Sequence, residues 1–132
     1  MITRIQKDSL HLFEEIYKKR TSKPLKTSDL DDPNLFLYVI HEEEVYGWIS
    51  IVKIPKVGYR EHIYYLDELY VYPGAQNKGY GSALLKHMKE IFSNETIRLI
   101  VSTENRNALH LYKKHGFELV NKGYYMERKN NE

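Results

Sequence analysis

The sequence contains no cysteine. That absence excludes a disulfide framework, a thiolate nucleophile and any Cys-ligated zinc. Long apolar runs are missing too: the longest, residues 35–40, falls far short of the roughly 18 residues that span a bilayer. The N-terminus, Met1-Ile2-Thr3-Arg4, lacks the apolar stretch of a signal peptide, so a cytoplasmic protein with no membrane partner is expected. Charge of one sign is also lacking. Basic residues number 20 against 18 acidic ones, scattered along the chain for a net charge of +2, and no basic stripe points to a nucleic-acid partner. Without such a stripe, Trp48 and the Tyr64-Tyr65 pair read as packing residues rather than base-stacking platforms. The six histidines offer no metal spacing: His110 and His115, five apart, diverge on a helix, and the others are isolated. No metal is expected.

What is present fits one domain over residues 1–132, with 42% apolar and 29% charged residues around a modest core. Residues 1–6 read as an edge strand. Lys7-Asp8-Ser9 then offers N-cap oxygens to a helix whose apolar positions Leu10, Phe13, Ile16 and Tyr17 share a face, ending near Arg20. Residues 21–33, with two prolines and several Ser, Thr and Asp, read as a connection holding at most a short helix. Residues 35–40 and 45–54, rich in Tyr, Val, Ile and Trp around Glu42-Glu43-Glu44, predict an antiparallel hairpin. A third strand over residues 63–72 stops at Pro73, and residues 79–93 change to helical period with Leu84, Leu85, Met88, Ile91 and Phe92 in a stripe. A strand over residues 96–102, a helix over 105–115 with Gly116 at C′, and two strands over 117–121 and 124–128 complete the chain. The expectation is an α/β fold of α+β type, with about seven strands in a mixed, centrally splayed sheet flanked by about four helices.

The turn Gln76-Asn77-Lys78-Gly79-Tyr80-Gly81-Ser82 places two glycines where a helix begins. Helix N-termini carry unpaired N–H donors and a partial positive charge, so a phosphate or pyrophosphate is a natural ligand, aided by Lys78 and the Ser82 hydroxyl. A P-loop would need Gly-Lys-Ser/Thr, and Tyr80 follows Gly79 instead; a dinucleotide fingerprint would need a third glycine where Leu84 stands. A plain strand-to-helix turn that merely needs glycine is the competing reading.

The surroundings add to the turn. Leu66-Asp67-Glu68-Leu69-Tyr70-Val71-Tyr72-Pro73, then Gln76, Gly79 and Gly81, then Leu84-Leu85, resemble the acetyl-CoA motif of GNAT N-acetyltransferases, Gln/Arg-x-x-Gly-x-Gly/Ala after a Leu-x-Val strand. Some 25 residues on, Asn105, Ala108, Leu111, Tyr112, Lys114, Gly116 and Phe117 match that family's Asn-x-x-Ala-x-x-Leu-Tyr-x-Lys-x-Gly-Phe pattern. The resemblance covers the whole chain in element order and is specific in these two motifs. It implies an enzyme moving an acetyl group from acetyl-CoA, its co-substrate, to a primary amine by direct attack in a ternary complex. The same fold would also serve a non-catalytic acyl-CoA sensor or a peptide N-acetyltransferase.

The resemblance also implies roles. The amides of Gln76, Asn77, Lys78, Gly79, Tyr80 and Gly81, with Ser82, would bind the CoA pyrophosphate, and the backbone of Leu69, Tyr70 and Val71 would pair with the pantetheine arm. The Leu69 N–H would polarise the thioester carbonyl. Asn105, Ala108 and Tyr112 share a helix face, with small Ala108 leaving room for the cofactor and Tyr112 as the general acid toward the CoA thiolate; a core tyrosine is the competing reading, in a chain with 12. Glu68, then Asp67, would be the base for the acceptor ammonium, against a solvated pair of acids; as strand neighbours they would point to opposite faces. Asp29, Asp31, Asp32 and Glu61 add acidity where the family binds its acceptor, which favours a small cationic amine. A homodimer is an open expectation.

Overall fold

A computed structural model of the chain describes residues 1–58 and 62–130. It divides into two compact units, residues 1–101 and the segment from Ser102 onward.

The first unit is a five-stranded sheet in the order β1 (Ile2–Arg4), β2 (Leu35–His41), β3 (Val45–Ile54), β4 (Ile63–Val71), β5 (Ile97–Arg98). Neighbours are antiparallel except for the parallel pair β4 and β5. Strand alternation sorts the apolar residues onto two faces. On one, Leu37, Val39 and Trp48 pack against Phe13 and Ile16 of helix α1 (Leu10–Arg20). On the other, Tyr38 and Ile49 are paired across β2 and β3, and the Tyr38 ring meets His87 of helix α2 (Tyr80–Ile91) at 5.3 Å. Leu84, Leu85 and Met88 are the buried stripe of α2. Burying one such aliphatic side chain stabilises by about 1.5–3 kcal/mol, so the two faces together hold the sheet between its helices.

Two local devices differ from expectation. Ser9 precedes α1 but does not cap it; its Oγ accepts the Gln6 N–H at 2.8 Å and donates to the Arg4 carbonyl at 3.1 Å. The hydroxyl therefore fastens the end of β1 to the helix start. The 21–33 connection contains a 3₁₀ turn at Thr27–Leu30, as allowed for, and a second one, Pro73–Ala75, follows β4.

In the second unit, helix α3 (Arg106–Lys114) begins at Asn105, whose side chain accepts the Ala108 N–H at 3.2 Å. Gly116 takes the left-handed conformation, φ +89°, that its C′ position demands. No helix among the described residues is long and apolar enough to cross a membrane.

Five strands and three α-helices are formed among the described residues, where about seven and about four were expected. The strand read over 96–102 contracts to Ile97–Arg98, and those read over 117–121 and 124–128 are not formed. A strand needs a ladder to belong to, and β5 pairs only through Ile97 and Arg98 with Tyr64 and Tyr65. Val120 and Tyr124 accordingly stand 94% and 96% exposed.

Candidate functional site

The edge of β4 is the central feature. β5 pairs with it at Tyr64 and Tyr65, and among the described residues of this unit no strand pairs with residues 66–71 on that side. β5 ends at Arg98 while β4 runs on to Val71, and the C-terminal ends of parallel strands are where open sheets place ligands. The direction of each peptide group follows from the register. Tyr72 donates its N–H to the Tyr46 carbonyl at 2.9 Å, which fixes Tyr72 and Tyr70 as the residues whose N–H groups face β3. Leu69 and Val71 therefore present theirs to the open edge.

A β-bulge precedes Leu69. Ser50 pairs with Glu68 and Ile51 with Leu66, leaving Asp67 as the extra residue. The Glu68 N–H, displaced from the ladder, donates to Ser50 Oγ at 3.1 Å. The bulge overrides the alternation assumed for Asp67 and Glu68: Leu66 follows the face of Ile51, whereas Glu68 follows that of Ser50 and Trp48. There Glu68 Oε2 meets Nη1 of Arg20 at 2.5 Å, a partner that sequence reasoning missed, because a basic residue ending a helix reads as a response to the helix dipole. Asp67 is exposed, and partial burial followed by the charge of Glu68 pushes its carboxyl above the usual range.

The turn before α2 fits an anion. Asn77 and Gly79 both adopt left-handed backbone, φ +63° and +84°. Asparagine and glycine are the residues that reach this region at least cost. The first helical bond runs from the Ala83 N–H to the Gly79 carbonyl at 3.0 Å, and no side chain caps the helix. The amides of Tyr80 and Gly81 lie ahead of that ladder. Gln76 sends its Nε2 back to the Val71 carbonyl at 3.2 Å, fastening the turn to the end of β4. The Tyr80 ring stacks on Tyr46 at 4.3 Å, so what Tyr80 can offer an anion is its amide. Lys78 is exposed.

Asn105, Ala108 and Tyr112 are held together on α3. The end of that helix explains much of its sequence pattern: the Phe117 N–H reaches the Tyr112 carbonyl at 3.0 Å and the Gly116 N–H the Lys113 carbonyl at 3.1 Å. This is a Schellman closure, and the Tyr112 and Phe117 rings supply its apolar contact at 5.7 Å. Burial holds the Tyr112 phenol above its ordinary pKa, so it keeps its proton at neutral pH.

Of the other acids expected at the acceptor end, the three aspartates lie in the 21–33 connection. Asp31 and Asp32 line a surface groove with Arg4, Gln6 and Lys7 that includes no residue of β4. Asp29 lies in the 3₁₀ turn, and Glu61 falls outside the described residues.

Residues 2–117 match the model of the acetyltransferase (GNAT) family. The chain belongs to that family. This acetyltransferase is accordingly an enzyme with acetyl-CoA as co-substrate, and the open edge of β4 and the uncapped glycine turn suit such a molecule. No curated protein matches it. Among solved structures, aminoglycoside acetyltransferase AAC(6')-Iy, in complex with the bisubstrate analogue CoA-S-monomethyl-acetylneamine, has a TM-score of 0.77 at 14% identity, with 98% of each chain covered. An aminoglycoside acetyltransferase from an uncultured soil metagenomic sample, in complex with sisomicin, scores 0.72 at 16% identity, covering 97% of this acetyltransferase and 96% of that chain. A transcriptional regulator from Bacillus halodurans C-125 scores 0.73 at 22%, covering 97% and 99%. These likenesses are of fold.

Proposed function

We propose that this acetyltransferase moves the acetyl group of acetyl-CoA to a primary amine by direct attack in a ternary complex, with a small cationic amine as acceptor. The observation that carries the reading is the open edge of β4, whose outward Leu69 and Val71 N–H groups lead into the uncapped turn before α2. Peptide groups of residues 69–71 would take the pantetheine arm as an added strand, and the amides of residues 76–81, with Lys78 and Ser82, would hold the pyrophosphate. The Leu69 N–H, turned to the open edge, is assigned to the acetyl carbonyl oxygen. Asn105 and Ala108 are assigned to the cofactor by their motif positions.

The chemistry needs three proton transfers. The ammonium gives up a proton before its nitrogen attacks, the nitrogen gives up a second as the new C–N bond becomes that of the amide, and the departing sulfur takes one as the C–S bond breaks. Tyr112, whose phenol keeps its proton, is assigned to the proton that the sulfur takes. Glu68 is assigned to the first, with Asp67 as its substitute, since a carboxyl raised by burial is also a better base. The same reading takes residues 1–132 as one catalytic domain working in the cytoplasm on a small molecule, without nucleic acid or membrane, and a homodimer is the assembly to test by light scattering.

The deciding experiment is thiol release from acetyl-CoA by purified protein across polyamines, aminoglycosides, amino acids and basic peptides. Turnover of a cationic small amine with the highest kcat/KM is the expected result. Basic peptides preferred by about tenfold, a difference of about 1.4 kcal/mol, would replace the small acceptor with a protein one.

A further inference from the structure

The face of β4 turned toward α1 carries an arrangement around Glu68 of which these roles use only the carboxylate. Trp48 and Tyr70 are cross-strand partners on β3 and β4, their ring centroids 4.6 Å apart and their planes tilted by 39°. Glu68 lies two residues before Tyr70 on the same face. Arg20, the last residue of α1, reaches into this corner. Its guanidinium carbon is 5.1 Å from each ring centroid, and its Nη1 bonds Glu68 Oε2. Two aromatic faces and one carboxylate around a single cation are the elements that recognise ammonium and guanidinium groups.

Holding the helix end does not require Arg20. Lys18 and Lys19 already place cations in the last turn of α1, where the dipole favours them. Lys19 also ties α1 to the sheet, donating to the Val45 carbonyl at 3.1 Å and lying 4.6 Å from the Tyr72 ring centroid. The Arg20 and Glu68 side chains are each 41% exposed, so the occupant of the corner can exchange with solvent.

We propose that Trp48, Tyr70 and Glu68 form the subsite for the acceptor's ammonium group, and that Arg20 fills it as an internal stand-in which the acceptor displaces. The inference rests on the acetyl-transfer reading above. An ion pair and cation–π contacts at a half-open site are individually weak, so an ammonium group can win the exchange. Displacement releases the Glu68 oxygen from the guanidinium as the amine arrives. The ammonium then passes its proton to Glu68 and becomes the neutral nucleophile, one residue from the Leu69 N–H. Uncharged acceptors lack the group that evicts Arg20, so the corner selects for charge.

Trp48 is the sole tryptophan, and its fluorescence therefore reads the occupancy of the corner without CoA or turnover. The probe is spermidine, titrated into wild type, Arg20→Met and Arg20→Met/Glu68→Gln, with thermal unfolding to confirm the fold. Met keeps an unbranched apolar stem and removes the cation. Arg20→Met should bind spermidine about tenfold more tightly, as expected when a competitor occupying about nine molecules in ten is removed. KM for spermidine should fall in parallel at unchanged CoA affinity, and Glu68→Gln should cancel the gain. If Arg20→Met does not fold, Arg20→Lys decides, since its differently shaped cation should also yield to spermidine more readily than the parent. Equal or weaker spermidine affinity in the folded variant, or unresponsive Trp48 emission in all variants, overturns the proposal and leaves Arg20 as a support for Glu68. Should the titrations behave as expected while no amine is acetylated, the cation site stands and the acetyl-transfer reading falls; acetylation with Arg20-independent KM has the opposite meaning.

Discussion

The starts of α2 and α3 solve the same problem in opposite ways. Every helix leaves its first N–H groups without intrahelical acceptors. At α3 the chain satisfies one from within: Asn105 accepts the Ala108 N–H. At α2 the corresponding position is Gly79, left-handed and without a side chain to offer, and the preceding strand has an open edge as well. One helix start is closed by its own sequence, and the other is open to a ligand's negative charge. Where a capping residue is replaced by glycine next to an unpaired strand, the missing partner is to be sought outside the chain.

The largest test of this contrast is Gly81→Glu. It puts a carboxylate into the first turn of α2, which the helix itself tolerates well because the dipole favours an acid there. CoA loses the site to that charge. Loss of two charge-assisted hydrogen bonds at about 2 kcal/mol each corresponds to about a thousandfold weaker binding, measurable by calorimetry on folded protein. Unchanged affinity would place the pyrophosphate elsewhere and close the comparison.

Next in size is Tyr112→Phe, which separates the packing job that the structure shows for this side chain from the acid role proposed for it. The ring that packs on Phe117 in the Schellman closure is retained, and only the hydroxyl is lost. Stability and CoA affinity should stay near the parent's, while single-turnover kcat falls by about a hundredfold. An unchanged rate would leave Tyr112 with the structural job alone.

At the closed start, Asn105→Ala should cost about 1 kcal/mol of stability, read as a lower denaturation midpoint. If the contrast holds, its CoA affinity drops far less than that of Gly81→Glu. A comparable drop would make the cofactor contact assigned to Asn105 as strong as that of the glycine turn and erase the contrast.

Much of this was legible because it is local. The 3.6-residue period of α1, α2 and α3, the hairpin over 35–54, the helix start at the glycine turn and the C′ role of Gly116 follow from spacing and side-chain type. Arg20 was not, because its partners Trp48 and Glu68 lie 28 and 48 residues away and its own neighbourhood explains it adequately as a helix-end cation. The bulge at Asp67 was equally hidden, since an alternating strand reads the same with or without an extra residue. The two final strands failed for the reverse reason. Their residues have strand propensity, but propensity supplies no ladder partner.

Asp67 provides the smallest expected effect and probes the open side of the contrast at the bulge. Burial first, then the charge of Glu68, raises its carboxyl in the folded protein. A raised folded pKa means that the folded state holds the proton more tightly than the unfolded chain does. The favourable contribution is therefore full below the unfolded carboxylate pKa and is lost as pH rises through the folded value. At neutral pH the ionised Asp67 is a net cost, which Asp67→Asn removes. Denaturation midpoints measured from about pH 3 to 8 should converge at the acid end and separate as pH rises, with the variant more stable. Because Asp67 is exposed, solvent screening confines the gap to the small range of surface charge interactions, below about 1 kcal/mol. Adding Glu68→Gln should narrow the gap further by removing the second cause. If the parent instead gains stability over the variant with rising pH, the Asp67 carboxylate is favoured by a cation, and the bulge would be a cation-binding feature of the folded protein.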